Sequence, residues 1–166
     1  MSCLGVHFSL SAEEVDRLRA APEAQRVDYV SETIETDYFA NHMDCVAQSD
    51  KAWDGMHRAL SDGQLSWDGG KYPLNHVVLG GERLYTGDDY IIVLKTPEQV
   101  RDVAGVIGTI DEAEFRRRHS SIDPESYQYS ADDDDFDYTW HWFQEVRELW
   151  VRAASEGRYI LFTADQ

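Results

Sequence analysis

The chain predicts an α+β fold in a single compact domain, residues 1–166, with a mixed β-sheet and packed helices. Three features carry that expectation. Strand-like runs occur at both termini and in the middle; strong helix starts lie between them in irregular order; a long helix near the C-terminus is followed by one last apolar strand. A chain of 166 residues buries roughly 70% of its unfolded surface without a metal or disulfide.

The elements follow in order. Leu4, Val6, Phe8 and Leu10 alternate with Gly5, His7 and Ser9, the period of a strand with one buried face. Ser11 then starts a helix, with Glu14 completing a capping box and Leu10 and Val15 at the staple positions. Between Ala24 and Gln48 the pattern weakens. Tyr29, Val30, Ile34, Tyr38 and Phe39 suggest a helical stripe, although Val27 to Ile34 also reads as strand alternation. From Asp50 to Leu60, Trp53, Met56, His57 and Leu60 mark one face of a helix that ends before Gly63.

A turn-rich stretch, Ser61 to Pro73, leads to two short β-rich runs, His76–Leu79 and Tyr90–Leu94. Thr96-Pro97-Glu98-Gln99 is the best helix start in the chain. Val100, Val103, Ala104 and Ile107 form its core stripe, and Gly108 is expected to end it in the left-handed conformation. A short helix spans Asp111 to about His119. The last helix is expected from about Asp137, as cap, to Glu156, with Gly157 as its stop. Arg158 to Thr163 closes the chain as a strand covered on both faces.

Charge excludes more than it identifies. Asp and Glu number 32 against 15 Lys and Arg, a net charge of −17. Nucleic acid and anionic membrane surfaces are therefore excluded as expected partners. Ten acids and only three basic residues lie between Ser11 and Asp50. No apolar run approaches the roughly 18 residues of a membrane span, and Met1 to Gly5 do not open a secretory signal. Cys3 and Cys45 read as reduced thiols, and a cytoplasmic location is expected.

Motifs for catalysis are sparse. An EF-hand loop from Asp133 fails at Tyr138 and Gln144, where Gly and Glu are needed, so the Asp132 to Asp137 run reads as a helix start. No zinc spacing, phosphate-binding glycine loop or nucleophile elbow is present, so neither cofactor nor metal is expected. Trp53, Asp54 and His57 are the most suggestive group. Asp54 and His57 are i, i+3 neighbours, close enough for the carboxylate to orient the imidazole, though His57 also falls on the apolar stripe as a core histidine would. His76 joins them as a candidate pocket residue. Trp140, His141 and Trp142 cannot all face the same core at helical spacing, so Trp140 and His141 are expected at an edge, in a groove or at an interface, suited to a partner. Arg116-Arg117-Arg118-His119 reads as a helix end, with the acidic surface as its intramolecular partner.

Gly5-Val6-His7-Phe8, the run from Asp50 through Lys51-Ala52-Trp53-Asp54-Gly55-Met56-His57, and Tyr72-Pro73-Leu74-Asn75 are joined by Leu79-Gly80-Gly81, Gly87-Asp88-Asp89-Tyr90, Thr96-Pro97-Glu98-Gln99-Val100 and Gly157-Arg158. In these segments the chain resembles the YfbM-like family, a bacterial domain family of unknown function. The resemblance implies a single-domain α+β fold in a bacterial cytoplasm and supplies no activity. Two functions are then open. One is a non-enzymatic module binding a protein partner with a basic surface, such as a toxin neutralised in the manner of an immunity protein. The other is a small-molecule hydrolase or ligand-binding domain with a pocket near Asp54, His57 and His76. The −17 charge would also serve solubility alone.

Overall fold

A capping box at Ser11 and a second at Thr96 start two of the helices, as expected: Glu14 N bonds Ser11 Oγ at 3.3 Å, and Gln99 N bonds Thr96 Oγ1 at 3.3 Å. The computed structural model describes residues 3–166; Met1 and Ser2, the start of the segment read for a secretory signal, lie outside the described residues. The elements are β1 (Gly5–Leu10), α1 (Ala12–Ala20), α2 (Arg26–Tyr29), α3 (Thr36–Asn41), β2 (Val46–Asp50), α4 (Ala52–Leu60), β3 (Glu82–Arg83), β4 (Tyr90–Lys95), α5 (Pro97–Ile107), α6 (Glu112–His119), α7 (Asp133–Glu156) and β5 (Tyr159–Asp165). A π-helical segment, Val30–Glu35, joins α2 to α3.

The strands form one sheet in the order β2-β1-β5-β4-β3, and every neighbouring pair is antiparallel. The fold is α+β, but the mixed sheet expected from the sequence is antiparallel throughout. A parallel pair needs a crossover that re-enters from the same end; here three helices return the chain from β4 to lie antiparallel beside it as β5. Both faces of the sheet are covered. Val6, Phe8, Leu10, Ile92, Leu94 and Leu161 pack with Val15 and Leu18 of α1 and with Val30, Ile34 and Tyr38. Ala47, Ile91, Val93, Ile160, Phe162 and Ala164 pack on the other side beneath α4, α5, α6 and α7. Since β1 lies inside the sheet between these layers, all six of its residues are buried, not one face alone.

Other departures have local causes. The segment from Ala24 is largely helical, and the π turn keeps Val30 and Ile34 in the core before Tyr38. Strand β2 has no clear sequence signal, being a five-residue edge strand with only Ala47 and Ser49 buried. His76–Leu79 is no strand: Leu74–His76 is a 3-10 turn, and Val77, Val78 and Leu79 are buried without sheet pairing. An apolar run signals burial before it signals backbone. Gly108 stays right-handed at φ −60°, whereas Gly157 ends α7 in the left-handed region at φ +66°. Asp132, not Asp137, caps α7, accepting from Asp135 N at 3.1 Å.

Trp140 is not at a free edge. It is half-buried in the seam between α6 and α7, with ring centroids 5.4 Å from Phe115 and 5.9 Å from Phe143 and the Arg147 guanidinium 5.5 Å from its own centroid. The aromatic stripe Phe136–Trp140–Phe143 follows helical spacing into that seam. Trp140→Ala is therefore expected to cost about 2 kcal/mol and lower the melting temperature by roughly 4–8 °C. A thermal melt followed by circular dichroism checks this, and an unchanged midpoint would return Trp140 to the surface. His141 is exposed.

Candidate functional site

Asp50 adopts the left-handed conformation, φ +44°, and turns the chain from the edge strand β2 into α4. Every residue of α4 is buried, which forces its polar side chains to find partners inside the protein. Asp54 meets Arg58, with Arg58 Nε 2.5 Å from Asp54 Oδ1. Arg58 also donates to Ser126 Oγ at 2.8 Å and to the Ser126 carbonyl at 3.1 Å, and lies 5.2 Å from the Tyr127 ring centroid. Burial pushes the Asp54 carboxyl up, against the opposing pull of Arg58. Asp54 thus braces the 126–127 segment through Arg58 and does not orient His57.

His57 Nε2 donates to the Ser66 carbonyl at 3.0 Å, since a carbonyl only accepts. This leaves Nδ1 as a buried lone pair without a hydrogen-bond partner among the described residues. Burial pushes His57 down to about 4, with Lys95 adding to the effect, so the ring is neutral near pH 7. Deeper on the same face of the sheet, both ring nitrogens of His7 lack partners among the described residues, and the ring lies 4.9 Å from Phe162. Lys95 is fully buried, donates to the Val78 carbonyl and sits 5.5 Å from the Phe162 centroid. No ion pair to it occurs among the described residues. Burial holds both His7 and Lys95 well below their ordinary values.

Trp53 closes the same region. Its Nε1 donates to the Cys3 carbonyl at 2.9 Å, and its ring rests on Gly5, where a Cβ would approach it to 2.7 Å. His76 is half-buried, 2.8 Å from Asn75 Oδ1, with its ring edge-on to Tyr72. Asp54, His57 and His76 therefore each have a different partner. Asp54 and Trp53 share a 110 Å³ pocket with Gln128 and Tyr129, and neither histidine lines it.

A larger pocket, about 430 Å³, opens where α4 begins. Tyr127, Tyr129 and Tyr138 supply its aromatic wall, Asp132, Asp134 and Asp135 its acidic wall, and Lys51 and Ala52 complete it. Asp135 is fixed from behind: it accepts from Tyr127 Oη at 3.0 Å and pairs with His119 at 2.8 Å. Burial and the Asp50 carboxylate push Tyr138 up to about 12. The acidic run is divided among partners, with Asp133 and Asp137 2.9 and 3.7 Å from Arg116. No cluster of three or more His, Cys, Asp or Glu side chains suited to a metal ion occurs among the described residues.

The family described as "Domain of unknown function (DUF1877)" matches residues 1–163. The chain belongs to this family. A solved structure titled as that of a protein of unknown function, YfbM from Escherichia coli, is similar in fold, with a TM-score of 0.62 and 18% identity over 97% of this chain and 99% of that one. No curated protein matches. Both findings agree with the YfbM-like resemblance of the motifs.

In this DUF1877 chain the residues singled out by sequence fall into three places. Trp53, Asp54 and His57 are buried on α4 itself, His76 is half-buried beyond it, and Trp140 and His141 are on α7. The 127–138 pocket has no motif in the sequence, because Tyr127 and Tyr129 come from an irregular segment, Tyr138 from the first turns of α7, and its aspartates read as a helix start. The available signal was Tyr127, Tyr129 and Tyr138 bracketing the acidic run.

Proposed function

We propose that this protein is a non-enzymatic binding module whose partner presents a basic surface, with neutralisation of a basic toxin or nuclease as its concrete form. The observation that carries the reading is a net charge of −17 that the chain's own cations do not offset. The dense basic patch is already engaged: Arg116 pairs with Asp133, while Arg117 and Arg118 pair with Glu114. The aspartates at the start of α7 remain largely exposed, Asp133 by 93% and Asp137 by 73%. Such a surface speeds encounter with a cationic partner, and salt weakens the attraction. The reading places the protein in the cytoplasm, where such a partner would be met.

The hydrolytic alternative gains no comparable support, because Asp54, His57 and His76 each bond a different protein group and do not converge on one pocket. The test is capture by the immobilised protein at about 50 and 500 mM salt, then direct titration of the purified captured protein. Retention of a protein with pI above about 9, weakening with salt, is expected. If nothing is retained at either salt, or retention ignores salt, the reading fails.

A further inference from the structure

We propose that the 430 Å³ pocket beside α4 is a socket for one arginine side chain of a basic protein. This rests on the binding reading above and names the point of engagement.

The pocket combines the two chemistries that hold a guanidinium. Its faces are phenol rings, with Tyr127 and Tyr129 set edge-to-face at 5.5 Å, and Tyr129 and Tyr138 are 41% and 37% exposed at the opening. A planar cation is attracted to such faces. Its remaining wall is carboxylate. Asp135 is held in place by Tyr127 and His119, whereas Asp134 has no hydrogen bond or ion pair among the described residues. Ala52 of α4 closes the pocket, and behind its lining a Cβ on Gly55 would stand 2.6 Å from Tyr127 Oη, so the glycine lets the Tyr127 hydroxyl approach α4 closely.

The molecule already contains the same recognition in miniature. Arg58 lies against the Tyr127 ring and bonds the carboxylate of Asp54. The positive end of α7 opposes a cation, but the Asp132 cap and the acids of the first turn already meet it. Lys51 is the one basic side chain in the wall. A guanidinium fits better than an ammonium because it stacks flat on a ring while its fork meets a carboxylate.

The test uses the full chain, isotope-labelled, titrated at ~20 mM salt with Nα-acetyl-arginine amide and, as an uncharged match, Nα-acetyl-citrulline amide. Saturable shifts confined to residues 51–55 and 127–139 are expected with the arginine compound and none with the citrulline one. The double variant Tyr129→Ala/Asp134→Asn should weaken binding by about tenfold or more. Its melting temperature should stay within about 2 °C, both sites being exposed. Shifts scattered over the acidic surface, equal binding of the citrulline compound, or an unaffected double variant would overturn the socket. The capture experiment separates the two readings. A partner retained equally by wild type and double variant overturns the socket and keeps the acidic-surface reading. Specific arginine binding with no protein retained supports the socket and overturns the protein-binding reading.

Discussion

Arg58→Ala is expected to lower the unfolding free energy by about 3–5 kcal/mol, measured by urea titration. The side chain is 5% exposed and holds Asp54, Ser126 and the Tyr127 ring together. Its removal strands the Asp54 carboxylate in a buried site and frees the 126–127 segment. Because burial already pushes Asp54 up, the stranded carboxyl escapes part of the penalty by taking a proton, so the loss should be larger at pH 8 than at pH 5. The paired replacement Asp54→Leu/Arg58→Met should recover most of it, since no charge is then left alone. A loss below about 1 kcal/mol for Arg58→Ala would mean that the pair is solvated and α4 looser than its burial implies.

The second large effect is pH dependence of stability from the bases under the sheet. His57 titrates at about 4 when folded and at 6.5 when unfolded. Between those values the unfolded chain binds a proton that the folded one excludes. The contribution is thus complete above pH 6.5 and lost as pH falls toward 4, about 3 kcal/mol from this residue. His7 shifts in the same direction. Lys95 extends the trend upward: its folded value is lowered from 10.5, so stability keeps rising toward that pH. Unfolding free energies measured from pH 4.5 to 10 should climb, with His57→Gln flattening the acid limb and Lys95→Met the alkaline one. A flat profile in wild type would show that water reaches these groups.

Periodicity and capping were the legible parts. Ser11 and Thr96 announced their helices through paired polar residues, and Tyr159 to Phe162 announced a strand buried on both faces. Local signals do not encode which strands meet, so the antiparallel order was not available, nor was the partner of Asp54, which depends on Ser126 and Tyr127 being brought beside α4. His57 on an apolar stripe correctly suggested a core histidine. Trp140 lies in a groove off the main core face because α7 has neighbours on more than one side. Val77 to Leu79 misled because burial without pairing looks like a strand in sequence. The pocket joins an irregular segment, 127–130, to the starts of α4 and α7, a meeting that no local period encodes.

The sheet's order also has a kinetic consequence. One of its two inner pairs is β1 with β5, Leu10 opposite Tyr159, so the two strands most distant in sequence are side by side near its middle. Closing that pair carries the entropy of nearly the whole intervening chain, and high contact order slows folding. During synthesis β1 must wait, with only β2 to pair it, until residues 159–165 emerge. The helices that form early have half a platform on which to dock. A chain shortened before Tyr159 should therefore remain expanded and aggregation-prone, since the missing strand is the one that joins β1–β2 to β3–β4.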